Sequence, residues 1–157
     1  RAQPAVLKPG YLRAEAHLVN LMVQEKTIAK KILDGLAGLT LQEPLHQSVV
    51  EIVKGLLDRK GEVSEALVLS YLEDKDDITK LVDIFHRELE YDNIDTFLED
   101  CLNQVSMGIL EQQRQEIQNA INTMDQEGIS DPDRYKSLLK EIQQLNHRLS
   151  TYKSERR

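Results

Sequence analysis

The sequence predicts an all-α protein: a compact helical bundle followed by a protruding antiparallel helical hairpin. Three observations carry this reading. Glycine (7) and proline (4) are scarce in a chain of 157 residues, while unbranched helix formers such as Leu, Glu, Gln and Lys dominate and lose little rotamer freedom in a helix. Apolar residues recur at helical spacing through almost all of the chain. Start and stop signals also separate the periodic stretches by only a few residues.

Residues 1–10 hold Pro4, Pro9 and Gly10 without helical spacing and read as a linker tail. A first helix carries Leu12, Ala16, Val19, Met22 and Val23. A second, Thr27 to Ala37, carries Ile28, Ile32, Leu33 and Leu36 and stops at Gly38. Glu43-Pro44 opens a third, because proline fits the first turn. It turns Leu45, Val49, Ile52, Val53, Leu56 and Leu57 inward and closes at Lys60-Gly61. Ser64 caps a short helix with Leu67, Val68 and Tyr71. Asp76 or Asp77 caps the next, which carries Ile78, Leu81, Val82, Phe85 and Leu89. With the helix that begins near Ile94, six helices form the bundle, over residues 11–106.

Beyond Gly108 polar residues dominate, and a narrow apolar stripe remains at Leu110, Ile117, Ala120, Ile121 and Met124. Gly128 ends that helix, Asp131 caps the last one, and Pro132 takes its first position. The last helix carries Tyr135, Leu138, Ile142, Leu145, Leu149 and Tyr152, alternately three and four residues apart, which is a coiled-coil seam. Two seams joined by a short glycine-containing turn make an antiparallel hairpin over residues 107–157, with arms of roughly 30 Å at 1.5 Å per residue.

Composition narrows the function. Aromatics are 4% of the chain and Trp is absent, so the core rests on Leu, Ile and Val. The single cysteine, Cys101, excludes an internal disulfide and fits a reducing, cytoplasmic setting. No apolar run approaches the roughly 18 residues that span a membrane, and no segment of the sequence reads as a signal peptide. The first residue is Arg1 rather than Met, so the expectation is a fragment of a longer protein.

The net charge of −7 is uneven: Glu73 to Asp100 holds eleven acidic and three basic residues, a net of −8. A nucleic-acid binder needs a basic stripe with interleaved aromatics, and this stretch is the reverse. An acidic face more often serves solubility alone.

Catalytic signatures are absent: no glycine-rich phosphate loop and no nucleophile elbow. His17, His46, His86 and His147 lie far apart, without the spacing of a zinc site. Cys101 shares an apolar face with Phe97, Leu98 and Val105 and reads as a small buried hydrophobe. The carboxylates Glu73, Asp74, Asp76 and Asp77 surround a helix start, where the dipole favours them. The chain therefore reads as non-catalytic, without metal or cofactor.

The segment Arg13-Ala14-Glu15-Ala16-His17-Leu18-Val19-Asn20-Leu21-Met22 resembles the opening helix of bacterial primase C-terminal domains. There an alanine-glutamate pair precedes a leucine- and methionine-rich stretch. Lys31 to Leu36, His46 to Gly61, Asn93 to Leu102 and the terminal hairpin follow that family's order. The likeness covers nearly the whole chain from Tyr11.

It implies a domain that ties primase to the hexameric replicative helicase, the bundle modulating helicase activity and the hairpin gripping its amino-terminal collar. Zinc-binding and polymerase domains would precede Arg1. The helicase's own amino-terminal domain shares the bundle, but Tyr152 to Arg157 reads as a basic terminus rather than a linker to an ATPase. A self-associating coiled-coil adaptor is the other alternative; the primase reading expects a monomer.

On the hairpin, Leu138, Ile142, Leu145 and Leu149 are expected to hold the arms together. Ile129 at the tip, Leu139 beside the seam, and Tyr135 and Tyr152 at opposite ends of the last helix are the expected partner anchors. Leu139 could instead widen the seam and Ile129 plug the turn.

The charge pattern yields a first test: fluorescence anisotropy should show no salt-sensitive binding of single-stranded DNA at physiological ionic strength.

Overall fold

The computed structural model describes residues 9–155. Among them are seven α-helices and no strand: α1 Pro9–Met22, α2 Lys26–Leu36, α3 Pro44–Arg59, α4 Glu65–Leu69, α5 Lys75–Phe85, α6 Ile94–Glu127 and α7 Pro132–Glu155. The protein is all-α. No helix among the described residues is long and apolar enough to cross a membrane. Two compact units divide the chain between Ser106 and Met107, so α6 contributes its first turns to one and the remainder to the other.

In the unit of residues 9–106, α1 is the central element and packs against α2, α3 and α5. From Ala14 to Met22 it is buried on every side of the helix except at His17, which is half-buried. A helix so enclosed is normally apolar all round, yet α1 buries two polar side chains, Glu15 and Asn20, each only 1% exposed. Each satisfies the end of a neighbouring helix.

The Glu15 carboxylate accepts the backbone N–H of Gln42 at 2.6 Å and of Glu43 at 3.2 Å, just before α3. It also takes Nδ1 of the buried His46, at 2.9 Å, in the first turn of α3. Helix amino termini leave N–H groups without intrahelical partners and carry positive dipole charge, so a carboxylate there is doubly favoured.

Asn20 does the converse at the other polarity. Its Nδ2 donates to the carbonyls of Ile84 and Arg87, both at 2.9 Å, where α5 ends. Its Oδ1 accepts from Gln24 Nε2 at 2.7 Å.

Several boundaries differ from the sequence reading. α1 already includes Pro9 and Gly10, which the sequence pattern places in a linker, because proline is suited to a helix's first position. The rest of that tail, residues 1–8, lies outside the described residues. α5 is capped by Asp74, not Asp76 or Asp77: extended backbone lets the Asp74 carboxylate accept Asp77 N–H at 3.0 Å. Leu89 lies beyond the end of α5 at Phe85, because Asn20 binds the carbonyls there. Tyr71 lies outside α4, is 45% exposed, and lies beneath the Arg59 guanidinium 5.8 Å from its ring centroid.

His46 and Val50 are buried with Val49, Val53 and Leu56, whereas Leu45, Ile52 and Leu57, expected to face inward, are only half-buried, so the buried face of α3 is rotated from its expected stripe. The stop after α2 uses Ala37 in the left-handed region, φ 48°, with Gly38 behind it. A Cβ at Gly35 would lie 2.6 Å from Leu102 Cδ1, so a larger residue there would have to displace the end of the Leu102 side chain.

If the buried polar groups tie the helix ends to α1, Glu15→Ala and Asn20→Leu should each cost about 1–3 kcal/mol, the penalty for stranding buried hydrogen-bonding groups. Urea denaturation followed by circular dichroism measures this. Stabilities within 0.5 kcal/mol of the parent, as for neutral surface changes, would contradict it.

Candidate docking surface

The unit of residues 107–155 consists of the later part of α6 and the whole of α7. The two run antiparallel: Leu110 packs with Leu145 and Leu149, and Ile121 and Met124 pack with Leu138. Arg114 Nη1 donates to Asn146 Oδ1 at 3.1 Å in the same register. Gly128, at φ 65°, supplies the left-handed residue that ends α6. The N–H of Ile129 then reaches back to the Met124 carbonyl at 3.0 Å, a six-to-one closure that glycine permits at this point. Asp131 accepts Arg134 N–H at 3.1 Å and Pro132 begins α7.

This geometry separates the four expected anchors. Ile129 is 49% exposed at the tip and Leu139 is 40% exposed on α7. Tyr135 is half-buried against Ile121, Met124 and Leu138, and Tyr152 is half-buried against Leu110, Leu145 and Leu149. Tyr135 and Leu139 are one helical turn apart. Tyr152 is thirteen residues beyond Leu139, about 20 Å along the axis, so the four do not form one patch.

Ile142 departs from expectation in the other direction. It has the register of a seam residue but is only half-buried and belongs to neither apolar cluster. Leu139 lies in a shallow open depression with Asp133, Lys136, Ser137, Lys140 and Gln143. The lysines that border it were not singled out by sequence patterning, because charged residues on the outer face of a helix carry no periodic signal of their own.

Chemistry-bearing side chains also meet inside the other unit. Cys101 Sγ lies 3.9 Å from His17 Nδ1, whose ring stands 5.5 Å from that of Phe97. Burial, reinforced by Asp100, pushes the thiol up to about 11. Burial, then Arg13 and Arg87, lowers His17 below its ordinary value. Both shifts favour the neutral thiol and the neutral imidazole, the opposite of the ion pair that activates a cysteine nucleophile. The described residues contain no group of three His, Cys, Asp or Glu side chains placed to hold a metal ion.

No family model, curated protein or solved structure matches this chain.

The packing separates structural from surface roles within one helix. Leu149, 1% exposed, should cost about 2–5 kcal/mol when replaced by Ala, as buried leucines do. Leu139→Lys should change stability by less than about 0.5 kcal/mol, as for surface positions. Paired thermal and urea melts decide this; equal losses would make Leu139 part of the core.

Proposed function

We propose that this chain is a non-catalytic docking domain, and specifically the helicase-binding domain of a bacterial DNA primase. The observation that carries the docking reading is the solvent exposure of Leu139 and Ile129 on a two-helix arm. The arm's own seam is filled by Leu110, Ile121, Met124, Leu138, Leu145 and Leu149. A large apolar side chain that the local packing does not use is a natural anchor, since a few such residues supply most of the energy of an interface.

The identity of the partner rests on the resemblance. Arg13 to Met22 holds, as α1, the two buried polar groups that organise the bundle, and Lys31 to Leu36, His46 to Gly61 and Asn93 to Leu102 keep the family's order. On this reading the domain recruits primase to the hexameric replicative helicase and modulates its activity. It acts in the cytoplasm, uses no cofactor, contacts no nucleic acid or membrane itself, and is a monomer when alone.

The test is titration of the chain into a replicative helicase of the same organism, followed by calorimetry. The parent chain should bind. Leu139→Lys and Ile129→Lys should each weaken binding by about tenfold, equivalent to 1.4 kcal/mol, with unchanged helix content. No binding by the parent chain would overturn the helicase assignment. Dimerisation of the isolated chain, seen by sedimentation, would favour a self-associating adaptor instead.

A further inference from the structure

We propose that α7 meets its partner through a ridge of Tyr135, Leu139 and Ile142 edged by Lys136 and Lys140. The surface that receives it would be an apolar groove on a protein, with carboxylates along the matching edge. This rests on the docking reading above and adds the chemistry of the partner.

The ridge residues are spaced i, i+4 and i+7, the spacing with which an amphipathic helix enters an apolar groove. The arm leaves all three incompletely covered: Leu139 is 40% exposed, and Tyr135 and Ile142 are half-buried. Leu138, Leu145 and Leu149 fill the seam beside them. The ridge is therefore the border of the seam that faces outward, not a second core.

The lysines supply the second line of argument. Lys136 and Lys140 lie four residues apart on the same side of the ridge, both exposed. Like charges at that spacing disfavour a helix by a few tenths of a kcal/mol. Among the described residues neither lysine joins an ion pair. Asp133, the nearest carboxylate in the depression, sits in the first turn of α7, where the helix dipole favours it.

A local rule broken without a compensating gain in the fold points to a use outside it. Two carboxylates of a partner would relieve the repulsion and place the apolar ridge in register. An acidic rim would also reject surfaces that are merely apolar, because desolvating unpaired lysines is costly.

The experiment uses the full chain with isotope-labelled methyl and amide groups. Two designed helical-hairpin peptides share one leucine-lined groove between their helices and differ only at its borders, which carry glutamate in one and lysine in the other. The glutamate peptide should shift the Leu139 and Ile142 methyl signals and the Lys136 and Lys140 amides. Its affinity should fall about tenfold or more from low to high salt, as paired surface charges are screened. Lys136→Glu with Lys140→Glu should reverse the preference toward the lysine peptide. Equal binding of both peptides, binding of neither, or shifts that map elsewhere would overturn the proposal.

The same double variant titrated into a replicative helicase separates this inference from the reading beneath it. Weaker, less salt-dependent binding supports both. Unchanged binding overturns the lysine-edged ridge and leaves the docking role standing. A helicase that ignores the parent chain while the glutamate peptide binds overturns the helicase assignment and keeps the ridge.

Discussion

The bundle depends on one buried carboxylate. Glu15 is almost fully enclosed, and so polar a group in that position is tolerated only when hydrogen bonds replace its hydration. It receives three, from two backbone N–H groups before α3 and from the His46 ring. The carboxylate thereby fixes where α3 begins relative to α1. Asn20, five residues further along the same helix, fixes where α5 ends. Leu18, Val19, Leu21 and Met22 on the same helix are almost fully buried and pack apolarly. That packing is non-directional, so these few hydrogen bonds select one arrangement of helix ends among many with similar apolar burial. The Gln42 side-chain oxygen is buried without a partner beside this knot, a local cost of holding the loop against α1.

The other unit is organised differently. Its two helices meet along a narrow leucine-rich seam, and no buried polar side chain lies between Met107 and Tyr152. A two-helix arm has too little interior to enclose all of its apolar residues, and Leu139 and Ile129 are the ones left outside. Charge divides along the same line. Residues 9–106 carry ten basic and nineteen acidic residues, a net of −9, whereas residues 107–157 carry eight of each. The basic positions at Arg134, Lys136, Lys140 and Arg148 fall on α7. A partner attracted to the acidic unit is thus electrostatically different from one that suits the outer face of α7.

Much of the fold was legible because helices announce themselves locally. The Glu43-Pro44 helix start, the Ser64 and Asp131 caps and the Gly128 stop act within a few residues of their own position, and all four are used as read; the Glu43 side chain, which accepts Leu45 N–H, adds a cap that was not expected. The alternation of three and four in α7 identified Leu138, Leu145 and Leu149 as its buried positions. The errors have equally local causes. Pro9 punctuates a linker or starts a helix with the same chemistry. Asp74, Asp76 and Asp77 compete for one cap, and backbone geometry chose the first.

The candidate surface was legible only in part. Leu139 and Ile129 stood out because the seam did not need them, and both are exposed. Tyr135 and Tyr152 pack against opposite ends of the arm, and Ile142, which had the register of the seam, is left half-open. A heptad pattern gives the side of a helix that faces its partner but not how far the partner's side chains reach around it.

The sequence by itself determined the all-α class, the periodic faces and most helix ends, because those follow from interactions within one or two helical turns. Only the tertiary structure decided that Glu15 and Asn20, two polar residues of α1, would be buried. Their partners at the ends of α3 and α5 stand 27 to 67 residues away in the chain, and no pattern local to α1 encodes what will be waiting there.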